Sequence, residues 1–330
     1  MKTIAITGAT GFTGGAIAKH FAAKGWRVLA FGRRDSLDIV GDVVYRKWDI
    51  ATGAITIDEP VDVVLHSAAK VDDFGAYADF YRVNVLGTQH VMDTFQQAHQ
   101  FIYISTSSVY DPFGDKCNLR EDAPYGTHYL NAYGKTKMLA EKVIIQAGRP
   151  NSVILRPRAI YGVGDKTLLP RIMNARRGRY LLGIGDGRNA MSLTYIGNLV
   201  HAVDLVTQQE FACEIFNITD GETVTLHTLY EAIIAIMGWQ ARPLFIPTSF
   251  AQRIAQLSEA IYQHLPLSGS PQLTRYGVMQ LSTDYTLNIG KAQQELGYQP
   301  RYTYSEGLAI VRDWLSAQHA VSPPNEVRGS

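Results

Sequence analysis

The sequence predicts an α/β fold, a doubly wound parallel sheet of about seven strands with a smaller substrate-binding lobe. Two observations make this prediction. Short β-branched runs alternate with longer helical patterns through the first half of the chain, which implies parallel strands covered on both faces. Glycines then close the helical stretches, as at Gly25 and Gly148, where a left-handed residue stops a helix without a Cβ penalty.

In chain order, Thr3–Thr7, Val28–Phe31, Val61–His66 and Phe101–Ser105 read as buried strands, and Ser152–Leu155 and Glu214–Ile218 as later strands of the same sheet. The spacing of Phe80, Val83, Leu86 and His90 predicts a long helix over 77–97, and further helices are expected over 13–24 and 132–147. The second half differs. Residues 158–192 are rich in Arg and Gly, a helix is expected from Leu226 to Met237, and Ile254, Leu257, Ile261 and Leu265 follow at helical spacing. Thr303-Tyr304-Ser305-Glu306 has capping-box spacing for a final helix. The expected organisation is a dinucleotide-binding domain over 1–157 with 193–221, a substrate-binding lobe over 158–192 with 222–318, and a flexible tail over 319–330.

Composition narrows the function. A chain of 330 residues, 46% hydrophobic and 18% charged, has ample material for one large core or two modest ones. Its 31 Lys and Arg against 30 Asp and Glu leave a net charge of +1, which gives no reason to expect nucleic acid or an anionic membrane as partner. Cys117 and Cys213 stand far apart and the histidines show no metal-ligand spacing. No disulfide framework and no metal site is expected, and a cytoplasmic setting suits the chain. Neither a signal peptide nor a membrane-spanning run is evident.

Thr7-Gly8-Ala9-Thr10-Gly11-Phe12-Thr13-Gly14 follows the first strand and opens the first helix. Glycines in this pattern permit a tight turn and let the helix N-terminus meet a pyrophosphate. Gly8, Thr10, Gly11, Phe12, Thr13 and Gly14 are therefore cofactor candidates. The second strand ends in Gly32-Arg33-Arg34, with no carboxylate where a ribose 2′-hydroxyl would be held. The guanidiniums of Arg33 and Arg34 suit a 2′-phosphate, so NADP(H) is preferred and NAD(H) remains possible; Asp35 beside them works against exclusivity.

Tyr133 and Lys137 lie four residues apart on a predicted helix and share a face. An ammonium beside a phenol favours the phenolate, as proton exchange with an alcohol or ketone requires. Ser105-Thr106-Ser107-Ser108 ends a buried strand, where ligands sit in open α/β sheets.

Together these motifs resemble the extended short-chain dehydrogenase/reductase family over nearly the whole chain. Thr7-Gly8-x-x-Gly11-x-x-Gly14 is similar to its phosphate loop, and Asp49-Ile50 to its adenine contact. Ser67-Ala68-Ala69 matches the fourth-strand end, and Asn84-Val85-Leu86-Gly87-Thr88 the N-V-x-G-T helix. Thr106 falls at the family's catalytic hydroxyl, with Ser107 as the neighbouring alternative, and Tyr133 and Lys137 match the catalytic pair. Arg156-Pro157-Arg158-Ala159-Ile160-Tyr161-Gly162 resembles the loop that meets the nicotinamide, which adds Pro157 and Ile160. Ala159 stands where sugar-nucleotide epimerases carry a substrate-binding Asn; the branch resembled is the 3β-hydroxysteroid dehydrogenase-like one.

The resemblance implies an NAD(P)-dependent dehydrogenase or reductase acting on a carbonyl or secondary alcohol of an apolar small molecule, with a homodimer formed through 77–97 and 132–147. The rivals are a nucleotide-sugar epimerase or dehydratase with tightly bound NAD, and a non-catalytic NADP-binding regulator. Four further groups have open readings. His66 is expected to be structural. His128 is a candidate substrate contact or a loop residue. The arginines at 171–188 suit an acidic substrate group or a solvated helix face. The stripe Ile254, Leu257, Ile261 and Leu265 is expected to line or cover the substrate pocket, with a membrane-surface contact as the less favoured alternative.

Overall fold

The computed structural model describes residues 1–265 and 269–321. Strands β1 (Thr3–Thr7), β2 (Arg27–Gly32), β3 (Val43–Lys47), β4 (Val63–His66), β5 (Gln100–Ile104) and β6 (Ser152–Pro157) join the strand Cys213–Ile218 in one seven-stranded sheet. Its spatial order is Cys213–Ile218, β6, β5, β4, β1, β2, β3, and every pairing is parallel. The predicted doubly wound sheet is the observed one. Strand β3 escapes a search for dense apolar runs because it is the sheet edge, with its last two residues exposed.

The chain reverses direction across the sheet between β3 and β4, which flank β1 and β2 on opposite sides. Thr7 at the end of β1 lies level with Phe31 on one side and His66 on the other. A crevice therefore opens beyond these three carboxyl ends.

Eleven α-helices are defined among the described residues: α1 (Phe12–Ala23), α2 (Tyr77–Phe80), α3 (Gly87–Thr94), α4 (Ala132–Ala147), α5 (Leu168–Asn174), α6 (Ile196–Val206), α7 (Leu226–Ile236), α8 (Thr248–His264), α9 (Arg275–Ser282), α10 (Gly290–Glu295) and α11 (Tyr304–Val321). Ile17 of α1, Leu199 of α6, Leu229 of α7 and Leu308 of α11 pack in one core with Ile4, Ile6 and Leu155. Val91 of α3 and Ile144 of α4 pack with Ala5, Val64 and Phe101 on the opposite face. Successive residues of each strand thus serve opposite faces, and the strands read as continuous apolar runs.

Four expectations are corrected. The helix expected over 77–97 is interrupted: Tyr81–Leu86 is a π-helix, with the Gly87 amide reaching Arg82 O, and α3 ends at Thr94. The wider turn brings buried Asn84 to the Lys70 backbone, where its side chain accepts from the amide at 2.8 Å and donates to the carbonyl at 3.2 Å. The stripe on α8 points outward. Leu257 is 64% exposed and Leu265 53%, with Ile254 and Ile261 also exposed. Ala251 and Ala255 form the buried face instead, because small side chains let α8 sit close to Val278 and Ile184. Of the arginines of 171–188, Arg171 lies on α5 and the others do not form a helix face. Arg176–Arg177 and Tyr180–Ile184 are strands of a small sheet completed by Arg242–Ile246. Helix α11 runs to Val321, so the first residues of the tail expected over 319–330 are helical, and 322–330 lie outside the described residues.

Candidate active site

A groove of about 620 Å³ runs along the carboxyl ends of the central strands. Gly8, Thr10, Gly11, Phe12, Thr13 and Gly14 line its floor. A Cβ on Gly14 would stand 2.4 Å from the Gly8 carbonyl oxygen, and one on Gly8 would stand 2.8 Å from the Ala68 nitrogen. Gly8 also has φ of 73°, which a residue with a side chain rarely adopts. Helix α1 starts beside this turn with Gly11 as its N-cap, no side chain capping its first amides and no acidic residue in its first turn. Those amides suit an anion, so the residues present fit a dinucleotide pyrophosphate.

Arg33, Asp49, Ile50, Ser67, Ala68 and Ala69 line the same groove. Arg33 is exposed and has no partner among the described residues, whereas the Asp35 carboxylate accepts from Lys47 Nζ at 2.6 Å. Arg34 is not brought to the groove; it lies on the surface, with its carbonyl accepting from the Tyr45 hydroxyl. Asn84 lies behind the wall, donating to Thr136 Oγ1 at 3.0 Å as well as holding Lys70.

Thr106, Tyr133, Lys137, Pro157 and Ile160 complete the lining. Helix α4 begins where Asn131 accepts from the Gly134 amide at 3.0 Å and ends at Gly148, whose φ is 58°. This start sets Tyr133 in the first turn and Lys137 one turn on. The Lys137 ammonium donates to the Ile104 carbonyl at 2.7 Å and sits 3.9 Å from the Tyr103 ring centroid. Burial pushes Lys137 down to about 7, opposed by Glu141 one turn further along. Tyr133 is pushed up to about 12 by burial; a hydrogen bond with Thr106 lowers it and the Asp73 carboxylate raises it. In this arrangement the phenol keeps its proton at neutral pH.

Of the two candidate hydroxyls, Thr106 lines the groove, while Ser107 is buried with its carbonyl accepting from the Tyr285 hydroxyl. His66 is fully buried between Thr7 Oγ1 at 2.7 Å and Thr88 Oγ1 at 2.9 Å. Burial first, and then Lys137, lowers it to about 3, so it stays neutral. His128 is exposed and outside the groove lining. Arg171, Arg176, Arg177, Arg179 and Arg188 do not line the groove either; Arg171 instead pairs with Asp73 at 2.7 Å.

The sequence pattern of the NAD dependent epimerase/dehydratase family matches residues 4–219. This chain belongs to that family. It is an oxidoreductase of the extended short-chain dehydrogenase/reductase type, as its named relatives are reductases and dehydrogenases. It is 32% identical to a 2-alkyl-3-oxoalkanoate reductase of Stenotrophomonas maltophilia, over 92% of this chain and 97% of that protein. It is 30% identical to 3beta-hydroxysteroid-dehydrogenase/decarboxylase isoform 1 of Arabidopsis thaliana, over 80% of this chain and 64% of that one. Among solved structures, UDP-glucuronic acid 4-epimerase of Bacillus cereus in complex with NAD superposes with a TM-score of 0.74. That match covers 98% of this chain and 99% of the other at 21% identity, a likeness of fold. No helix among the described residues is long and apolar enough to cross a membrane.

Some groove residues of this short-chain dehydrogenase/reductase carry no sequence signal of their own. Lys70 follows directly on Ala69, and Lys166 and Thr167 precede α5; all three line the groove. The placement of 166–167 comes from Asp165, whose carboxylate accepts from the amides of Thr167, Leu168 and Leu169.

Proposed function

We propose that the protein is an NADP(H)-dependent oxidoreductase that interconverts a carbonyl and a secondary alcohol on a largely apolar small molecule, a 3-oxo acid or related ketone, with Tyr133 as acid/base. The observation that carries this reading is the presence of Thr106, Tyr133 and Lys137 on the wall of the groove whose floor is the glycine cradle. The nicotinamide dinucleotide supplies or accepts the hydride when bound. Gly8, Gly11 and Gly14 would admit its pyrophosphate, and Pro157 and Ile160 would border its nicotinamide end. In the reducing direction Tyr133, holding its proton, donates to the carbonyl oxygen, which Thr106 orients by a second hydrogen bond. Lys137 balances the charge left on the phenol.

NADP(H) is favoured because Arg33 is unpaired beside the groove and Asp35 is engaged by Lys47. The name of the Stenotrophomonas relative, a 2-alkyl-3-oxoalkanoate reductase, supports a 3-oxo acid. Ala159 lines the groove at φ of 46°, a conformation an asparagine adopts more readily. Its methyl group offers a sugar hydroxyl no hydrogen bond, which weighs against a nucleotide-sugar substrate. We assign the substrate side to the lobe of 158–192 with 222–318. A cytoplasmic homodimer through α2–α3 and α4 fits the exposure of Tyr77, Leu86 and Ile145.

Tyr133→Phe tests the reading. With a 2-alkyl-3-oxoalkanoate and NADPH, turnover is expected to fall by about 100-fold or more while NADPH binding stays within about twofold. Full retained activity overturns it. Tightly held NAD that resists exchange, seen by native mass spectrometry, would favour the epimerase chemistry instead.

A further inference from the structure

The hydroxyl of Tyr276 belongs to α9, far along the chain, yet it bonds Ser108 Oγ at 2.7 Å across a separation of 168 residues. Ser108 Oγ in turn lies 3.2 Å from Thr106 Oγ1, and Thr106 shares the groove wall with Tyr133, whose pKa it acts to lower. Three hydroxyls therefore stand in series from α9 to the groove wall, with the Tyr133 phenol beyond Thr106 on the same wall. Helix α9 is held rigidly at its first turn. Glu259 of α8, 6% exposed, accepts from the Arg275 amide and from Arg275 Nε, both at 2.7 Å. Thr274 caps the helix by accepting from the Gly277 amide at 3.0 Å. Tyr276 thus reaches Ser108 from a fixed base, and its ring borders a small cavity with Pro112, Leu130 and Met279.

The direction of the hydroxyl protons gives the series a task. Thr106 Oγ1 is placed to donate to Ser108 Oγ at 3.2 Å, a bond that turns its single proton away from the groove. To hydrogen-bond a substrate oxygen or a Tyr133 phenolate, Thr106 must rotate that proton inward. Ser108 then loses its donor. It can then turn its own proton to Thr106 Oγ1, and Tyr276, the neighbour within reach, replaces the lost donor and strengthens that bond by donating to Ser108 Oγ. All three moves are hydroxyl rotations, and no proton changes owner. Burial holds the Tyr276 phenol well above its ordinary range, so it remains a donor at any working pH.

We propose that Tyr276 is a positioning residue for the reaction: through Ser108 it turns the Thr106 hydroxyl toward the reacting oxygen and stabilises charge on Tyr133. The proposal rests on the carbonyl–alcohol reading of Tyr133 given above. It explains why the second lobe delivers a tyrosine to the end of β5 rather than an apolar side chain. Hydroxyls in series also polarise one another, so the far member strengthens the near one.

The test is a cycle of Tyr276→Phe, Ser108→Ala and the double variant, using oxidation of a 2-alkyl-3-hydroxyalkanoate by NADP+ across pH 6–10. The ionisable groups bearing on the phenol are Asp73 with its partner Arg171, Tyr103 and Tyr276; Tyr276 in turn faces Tyr285, and Lys137 lies one turn along α4. Only Tyr276 is changed. Tyr276→Phe is expected to lower kcat about three- to tenfold with KM little altered, and to raise the apparent pKa for oxidation by about half a unit. NADPH binding, read by fluorescence, should not change. In the Ser108→Ala background, Tyr276→Phe should add no further loss. An unshifted pH profile, or losses that simply add, overturns the relay. If Tyr133→Phe keeps full activity, the function reading itself fails, and that result is separable from either outcome.

Discussion

The Lys137 ammonium donates to the Ile104 carbonyl at 2.7 Å, tying α4 to the carboxyl end of β5. The bond anchors a charge that burial disfavours. Lys137 is 1% exposed and its pKa falls to about 7.

That depression means that Lys137, proposed above to act with Tyr133, is held at a cost in stability. Its folded pKa lies below its unfolded one, so the penalty is fully present below about pH 7 and fades as pH rises toward the ordinary lysine value. Lys137→Met is therefore expected to be more stable than the parent at pH 7, by about 2 kcal/mol after the lost Ile104 bond is counted. The advantage should shrink at pH 9. Its kcat should be about 100-fold lower or worse. Urea titrations at the two pH values, alongside kinetics, read both effects; a stability gap that grows with pH would contradict the sign.

Arg33 lines the groove without a partner among the described residues, and Arg34 does not reach it. Arg33→Ala should raise KM for NADPH about tenfold or more and leave KM for NADH nearly unchanged. Arg34→Ala should alter neither by more than about twofold. Equal losses with both cofactors from Arg33→Ala would remove it from 2′-phosphate recognition.

Glu141 of α4 and Arg156 of β6 form a pair that is almost wholly buried, with Arg156 Nη2 to Glu141 Oε2 at 2.6 Å. Tyr125 also donates to this carboxylate at 2.8 Å, and Ser105 donates to its other oxygen. Glu141→Gln leaves a guanidinium uncompensated in the core and should cost about 3–5 kcal/mol of stability. Chemical denaturation measures this. A loss below about 1 kcal/mol would mean that water or another group compensates Arg156.

Local patterns carried the sheet and the groove floor. Buried parallel strands read as apolar runs because both faces are covered, and Gly8, Gly11 and Gly14 are legible because their backbone tolerates no Cβ. Tyr133 and Lys137 share a face by helical spacing alone. The limits of such patterns are equally specific. The stripe Ile254, Leu257, Ile261 and Leu265 has the period of a buried face, but Ala251 and Ala255 are the ones that pack. Hydrophobic spacing identifies a helix face without saying which neighbour it meets.

By itself, then, the sequence determined the fold class, the glycine cradle and the shared helix face of Tyr133 and Lys137, all set within a few turns of chain. Tertiary structure decided the rest. It brought Thr106 rather than Ser107 to the groove, bent the helix at Asn84 toward Lys70, and delivered Tyr276 to Ser108. Those contacts join residues up to 168 positions apart, where no local periodicity reaches and only the packing of the second lobe on the sheet can choose the partner.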